Sequence, residues 1–103
     1  TIMAGAIINA AVCLGDNVIV NTGAIVEHDC VISDHVHIAT GARLASSVHV
    51  GEGAHIGVGA CVRQCIHIGR NAIVGAGAVV VDDVSDNVVV VGVPAKPLKR
   101  WKI

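Results

Sequence analysis

Branched aliphatic residues recur at every sixth position along most of the chain. Stepping by six from Ile2 gives Ile8, Leu14, Val20, Val26, Ile32, Ile38, Leu44, Val50, Ile56, Val62, Ile68, Val74 and Val80. Four places after each of these stands a second apolar residue, mostly small: Ala6, Val12, Val18, Ala24, Cys30, Val36, Ala42, Val48, Ala54, Ala60, Ile66, Ala72, Ala78 and Val84. An α-helix repeats every ~3.6 residues and a strand every ~2, so neither sustains a strict period of six. A chain that turns a corner every six residues does, with the aliphatic and its small partner pointing inward from each short side. Three places after the aliphatics stand Gly5, Asn17, Gly23, Gly41, Gly53, Gly59, Asn71 and Gly77. Gly and Asn accept positive φ readily, as a repeated tight corner requires.

Three such sides close a triangular prism of about eighteen residues per coil, stacked at the strand spacing of ~4.8 Å. The predicted architecture is therefore all-β: a parallel β-helix of about four to five coils over residues 1–85, with a short C-terminal extension over 86–103. The spacing does not give the hand of the coil, and the crossover preference of other sheets favours a right-handed one.

Composition sharpens this picture. The chain has 103 residues, 53% of them hydrophobic, yet one Trp and no Phe or Tyr. An ordinary small core leans on rings, whereas a narrow prism has no room for them and builds its core coil by coil. Disorder is excluded, because it needs low hydrophobicity and high net charge. The formal charge of −1 gives no reason to expect nucleic acid or an anionic membrane as partner. No apolar run approaches the ~18 residues of a membrane span, and no secretory leader is visible. Four irregularly spaced cysteines do not make a disulfide scaffold and fit a reducing cytoplasm. The repeat is already running at Ile2, which leaves the first coil's edges uncapped and leads us to expect a further segment before Thr1.

Candidate chemistry centres on the histidines. His28 lies in a turn between Glu27 and Asp29, where carboxylates can stabilise an imidazolium and fix its tautomer, as a general base near neutral pH requires. The plainer reading is a solvated surface histidine. His37 is nine residues on, half a coil round, so both histidines serve one site only if they come from adjacent subunits. His55 is eighteen residues beyond His37, and His67 eighteen beyond His49, so each pair stacks in an outward column. Cys30 falls in the inward small column, as a buried, inert thiol. Cys61 and Cys65 with His67 offer soft-metal ligands, but the simpler reading is an external loop residue and a turn residue. Four basic residues, Lys96, Lys99, Arg100 and Lys102, follow Pro94 in a tail that covers the last coil with Trp101.

The hexad of Leu, Ile or Val, often Gly, two variable residues, then Ala, Val or Cys resembles the hexapeptide repeat of left-handed parallel β-helix acyltransferases. That resemblance, and not the spacing, implies the left hand. It also implies a homotrimer with acetyl-CoA clefts between neighbouring prisms. The run Ile19-Val20-Asn21-Thr22-Gly23-Ala24-Ile25-Val26-Glu27-His28-Asp29-Cys30, then Asp34-His35-Val36-His37-Ile38-Ala39, is similar to a narrower group. This group comprises the sialic acid O-acetyltransferases and the nucleotide-linked 4-amino-sugar N-acetyltransferases of bacillosamine and perosamine pathways. The ending Val91-Gly92-Val93-Pro94-Ala95-Lys96-Pro97 is similar to their closing segment. Members usually carry an N-terminal Rossmann-like domain for the nucleotide sugar, which is absent from these 103 residues.

The resemblance implies His28 as catalytic base and Asp29 as its orienting acid, in direct transfer from acetyl-CoA. It implies an oxyanion donor in the turn Ala45-Ser46-Ser47, where relatives often have Gly; Ser46 is our choice. His37 is expected beside the acetyl group or the coenzyme sulfur. Gly59, Ala60, Gly77 and Ala78 are expected to line the pantetheine slot through their backbone. The closing segment, with Pro94 and Lys96, is expected beside the adenine and 3′-phosphate, where a basic residue pairs with phosphate oxygens. His49, His55 and His67 are expected to line the interface or cleft. A zinc site like that of the γ-class carbonic anhydrases is disfavoured, because no two histidines here make the His-x4-His pair. The expected function is N-acetylation of a nucleotide-linked amino sugar for surface glycans. Sugar or sialic acid O-acetylation and a non-catalytic trimerising scaffold remain as alternatives, since the Glu-His-Asp motif does not separate N- from O-transfer.

Overall fold

The computed structural model describes residues 1–98; Lys99, Arg100, Trp101 and Lys102 lie outside the described residues. Each hexad forms one flat side in which a small inward residue, an outward residue and an inward aliphatic follow one another. In Ala24, Ile25 and Val26, for example, the first and third are fully buried and Ile25 is half-buried. The outward residue and the aliphatic make a two-residue strand, too short to persist alone, which pairs with the same side of the coils above and below.

Three sheets result. The first holds β1 (Ile7–Ile8), β4 (Ile25–Val26), β7 (Arg43–Leu44), β10 (Cys61–Val62) and β13 (Val79–Val80). The second holds β2 (Cys13–Leu14), β5 (Val31–Ile32), β8 (His49–Val50) and β11 (His67–Ile68). The third holds β3 (Ile19–Val20), β6 (His37–Ile38), β9 (His55–Ile56), β12 (Ile73–Val74), β14 (Val89–Val91) and β15 (Lys96–Pro97). Through β13 the pairing is parallel and eighteen residues in register, with Ile7 opposite Ile25, Ile25 opposite Arg43, Arg43 opposite Cys61 and Cys61 opposite Val79, while β15 pairs antiparallel with β14. The stack is a left-handed parallel β-helix measuring 37 × 24 × 22 Å. Among the described residues no helix is long and apolar enough to cross a membrane.

The core is the two inward columns, buried continuously from Val18 to Val84, and it contains no polar side chain among the described residues. One aliphatic and one small residue per side fill the cross-section. The corners obey a stricter rule than Gly and Asn alone suggest. Positive φ recurs every six residues at Gly5, Ala11, Asn17, Gly23, Asp29, His35, Gly41, Ser47, Gly53, Gly59, Cys65, Asn71 and Gly77. Ala11, Ser47 and Cys65 thus adopt a conformation that costs an ordinary L residue about 1–2 kcal/mol, and the continuous ladder on either side holds them there.

The period breaks once, and two expectations change there. Val84, expected in the small column, instead bridges Ile68 in the aliphatic column, and Val89 and Val90 pair with Ile73 and Val74. Both offsets are sixteen residues, because the corner at Asp82–Asp83 is two residues shorter than the others. Asp83 compensates by accepting the His67 N–H at 2.9 Å through Oδ1. The hexad then resumes, with positive φ at Asn87, so the coil runs past residue 85 through β14. Cys61 likewise proves to be a strand residue and not a loop residue, while Cys65 occupies a corner.

Candidate functional site

His28 and Asp29 form the corner between the first and second sheets, on the coil that leaves β4. Backbone bonds clamp this corner to its neighbours. Asp29 N–H donates to Ala10 O at 3.2 Å, Ser47 N–H to His28 O at 3.1 Å, and Cys65 N–H to Ser46 O at 3.1 Å. Asp29 sits at φ 62°, a conformation Asp tolerates better than most residues. There its carboxylate Oδ2 lies 3.0 Å from His28 Nδ1, with the two side chains 59% and 58% exposed. Nδ1 is therefore the nitrogen tied to the carboxylate, and Nε2 is left for chemistry.

Glu27, the other flanking carboxylate, does not join this pair. Its Oε1 accepts from Asn9 Nδ2 at 2.8 Å, one coil away. The picture of a histidine held between two acids therefore reduces to a His28–Asp29 dyad, with Glu27 engaged by the neighbouring coil and Asp29 placed at the positive-φ corner beside His28. Below the dyad, Ser47 N–H is engaged by His28 O, whereas Ser46 N–H takes part in none of the described hydrogen bonds. Ser46 is thus the residue of that turn with a free donor.

His37 lies on β6 of the third sheet, which is the side opposite the His28 corner, so one prism does not bring the two together. His37 and His55 meet edge to face with ring centroids 4.8 Å apart, and His49 and His67 stack at 4.7 Å. Burial, and then the neighbouring His37, hold the His55 pKa below its ordinary value. The stacked pair lines an open cleft of about 370 Å³ on the second sheet with Val31, Ser33, Arg70 and Asp83. Among the described residues, no three His, Cys, Asp or Glu side chains gather as a metal site would require. Cys30 is fully buried, its Sγ lies 3.1 Å from Ala45 O, and burial pushes its thiol pKa up.

Neither a family model nor a curated protein sequence matches the chain. Solved structures do match. The acetyltransferase domain of PglB from Neisseria gonorrhoeae is 48% identical over 94% of this chain with a TM-score of 0.93, and one of its structures is a complex with acetyl coenzyme A. WeeI from Acinetobacter baumannii is 37% identical over 93% of the chain, TM-score 0.91. The chain belongs to the hexapeptide-repeat acetyltransferases. A variant of perosamine N-acetyltransferase from Caulobacter crescentus, solved with CoA and GDP-perosamine, is 35% identical over 93% of the chain, TM-score 0.77. The chain spans about half the length of these structures, covering 47%, 48% and 54% of them in turn.

In this acetyltransferase fold the remaining expected residues fall on two other parts of the prism. Gly59 and Gly77 lie on the corner between the third and first sheets, at φ +69° and +70°, with no atom within 4 Å of where a Cβ would stand. That corner is bare backbone open to an extended ligand. Ala60 and Ala78 face the core and are fully buried; their N–H groups donate to Gly57 O and Gly75 O, and their C=O groups accept from Arg43 and Cys61 N–H of the preceding coil. The open surface there is consequently that of the two glycines. Pro94 and Lys96 are exposed beyond β14, where Lys96 lines a small cleft with Asp82 and Asp83. One chain therefore unites His28, Asp29 and Ser46 on one corner and leaves His37, Gly59 and Gly77 on the far side. Asn9 and Asn21 were not singled out from sequence. Asn9 is visible in hindsight, because it lies eighteen residues before Glu27, whereas Asn21 is sixteen from the His37 that it approaches and no column joins them.

Proposed function

We propose that this chain is the acyl-transfer domain of an acetyl-CoA-dependent N-acetyltransferase acting on the amino group of a nucleotide-linked amino sugar for surface glycans. It would work as a homotrimer in the cytoplasm, a compartment that suits its four free cysteines. The observation that carries the reading is the 3.0 Å contact between His28 Nδ1 and Asp29 Oδ2 in a chain 48% identical to a PglB acetyltransferase domain crystallised with acetyl coenzyme A. The amino-sugar acceptor is supported by the relative solved with GDP-perosamine.

When bound, acetyl-CoA supplies an activated acyl carbon and a thiolate leaving group. Asp29 holds the Nδ1 proton of His28, so Nε2 presents a lone pair. Nε2 takes the proton of the acceptor nitrogen as that nitrogen attacks the acyl carbon. Ser46 N–H donates to the acyl oxygen as charge gathers there, a type of contact worth about 3–4 kcal/mol in acyl transfer. His28 then returns its proton to the departing sulfur, leaving an N-acetyl sugar, free CoA and a neutral imidazole. His37 and the open Gly59 and Gly77 corner of an adjacent copy complete the cleft, Lys96 meets the coenzyme phosphate, and Pro94 sets the turn that carries it.

The test is CoA thiol release by the full-length protein with nucleotide-linked amino sugars, matched hydroxy sugars and sialic acid as acceptors. Turnover with the amines and its loss in His28→Ala is the expected result. Turnover with hydroxyl acceptors alone replaces N- by O-transfer. Tight CoA binding without turnover on any acceptor leaves a trimerising scaffold. A His28→Ala enzyme at the wild-type rate removes the base assignment.

A further inference from the structure

The outward column of the third sheet reads Ile19, His37, His55, Ile73 and Val89, each in register with the next. The two histidines are thus bracketed by aliphatics from β3 and β12, and no charged side chain stands in this column; Lys96 lies on the far strand β15. Their rings meet at 71°, edge to face, and both are half-buried. The pair on the second sheet differs, with rings stacked nearly flat at 24° and a carboxylate, Asp83, bonded beside His67.

A second contact bears on His37. Thr22 N–H donates to Asn21 Oδ1 at 2.7 Å, which sets the orientation of the Asn21 amide and turns its Nδ2 toward His37 Nε2 at 3.5 Å. An amide N–H facing Nε2 asks that nitrogen for a lone pair, so the favoured tautomer carries its proton on Nδ1. Asn21 alone, at the long end of hydrogen-bond distance, leaves the ring free to rotate about its own axis. The edge of a second ring 4.8 Å away removes that freedom. Burial in an aliphatic strip keeps the second ring uncharged at neutral pH, so it serves as a wedge and not as a repelling cation.

We propose that His55 is a positioning residue for His37: its ring, set edge-on against the His37 imidazole, holds that imidazole where Asn21 reaches Nε2, and so fixes which ring nitrogen His37 offers to a bound acyl donor. The inference rests on the reading of His37 as part of the transferase cleft. His55 touches no reacting atom in this scheme. It acts only through the ring above it.

The experiment uses the full-length enzyme and the variants His55→Ala, His55→Phe and His37→Ala, with thiol-release kinetics and the ring ¹⁵N–¹H spectrum of His37. We expect His55→Ala to lower kcat about tenfold with little change in KM for acetyl-CoA, as small misplacements in a reacting site do. His55→Phe restores the ring edge and is expected to stay within about threefold of wild type. The His37 spectrum should show one neutral tautomer in wild type and His55→Phe, and a mixture in His55→Ala. Removing both histidines should slow the enzyme no more than His37→Ala alone, the mark of residues acting as a unit. Wild-type kcat in His55→Ala, an unchanged His37 spectrum there, or a His55→Phe enzyme as slow as His55→Ala each overturns the inference while leaving the reading of His37 intact. A His37→Ala enzyme at the wild-type rate overturns that reading itself.

Discussion

Replacing Asp29 by Asn is expected to slow acetyl transfer by about fivefold or less. This is a small effect for a carboxylate that orients a catalytic base, and exposure is the reason. The dyad is well formed at 3.0 Å, but its two side chains are 59% and 58% exposed. Exposed ion pairs contribute about 0.2–1 kcal/mol, and a barrier change of ~1 kcal/mol is a factor of about five in rate. The same substitution in a buried serine-protease triad costs about 10⁴. Asn tolerates the φ of 62° at this corner and keeps an oxygen that can accept from Nδ1, so the geometry of His28 survives. His28→Ala removes the base itself and should lose about 10²–10⁴. The assay is kcat/KM for CoA thiol release by both variants at one pH and ionic strength. If Asp29→Asn falls as far as His28→Ala, the dyad is desolvated in the working assembly and the exposure argument fails.

Three further outcomes test other parts of the molecule. A Cβ on Gly51 would stand 2.8 Å from Arg70 N and 2.9 Å from Gly69 C, backbone that cannot swing away, whereas one on Gly41 meets nothing within 4 Å. Gly51→Ala is thus expected to lose about 1–3 kcal/mol by forcing two coils apart, and Gly41→Ala about 1 kcal/mol from its φ alone; urea unfolding with equal losses would contradict the coil spacing. Thiol labelling of the native protein should modify the exposed Cys13 and Cys65 first and spare buried Cys30 until unfolding, and fast reaction of Cys30 would contradict the inward column. Folded His55 binds its proton below the ordinary 6.5, so the unfolded chain takes up protons first as pH falls. Stability from this group is whole above about pH 6.5 and is lost as pH drops toward the folded value. His55→Phe should flatten that acid loss in urea midpoints, and an unaltered slope would count against burial as the cause.

The fold was legible because its cause is periodic. One column of fourteen aliphatics and a second of small residues state the prism directly, and the near-absence of rings states its width. The ladder's break at Asp82–Asp83 was hidden, since Val84 suits the small column and the aliphatic column equally well and only the pairing with Ile68 decides between them. At the candidate site, the neighbours of His28 along the column could be named by adding eighteen, and Ser46 is indeed beside it. Side-chain direction was beyond the pattern. Nothing in Glu27-His28-Asp29 says that Glu27 leaves to meet Asn9 while Asp29 stays. The hand of the coil was equally invisible to spacing, since one side of six residues is compatible with either winding.

The antiparallel strand β15 bears on how the third sheet is covered. A coil written in unbroken hexads has no natural last turn, and a second molecule could dock on it in register and extend a filament without limit. Here Val91 and Val90 are instead covered by Lys96 and Pro97 running the opposite way. Val79 is closed in the same manner, through bonds to Gly92 O and Ala95 N. Among the described residues, the last strand of the third sheet thus carries a lysine and a proline, the residue types that discourage further strand addition. A turn and a two-residue strand make a polymerisable strand edge a covered one, so replacing Lys96 by Val and Pro97 by Thr should be read out as fibre growth before any loss of the prism itself.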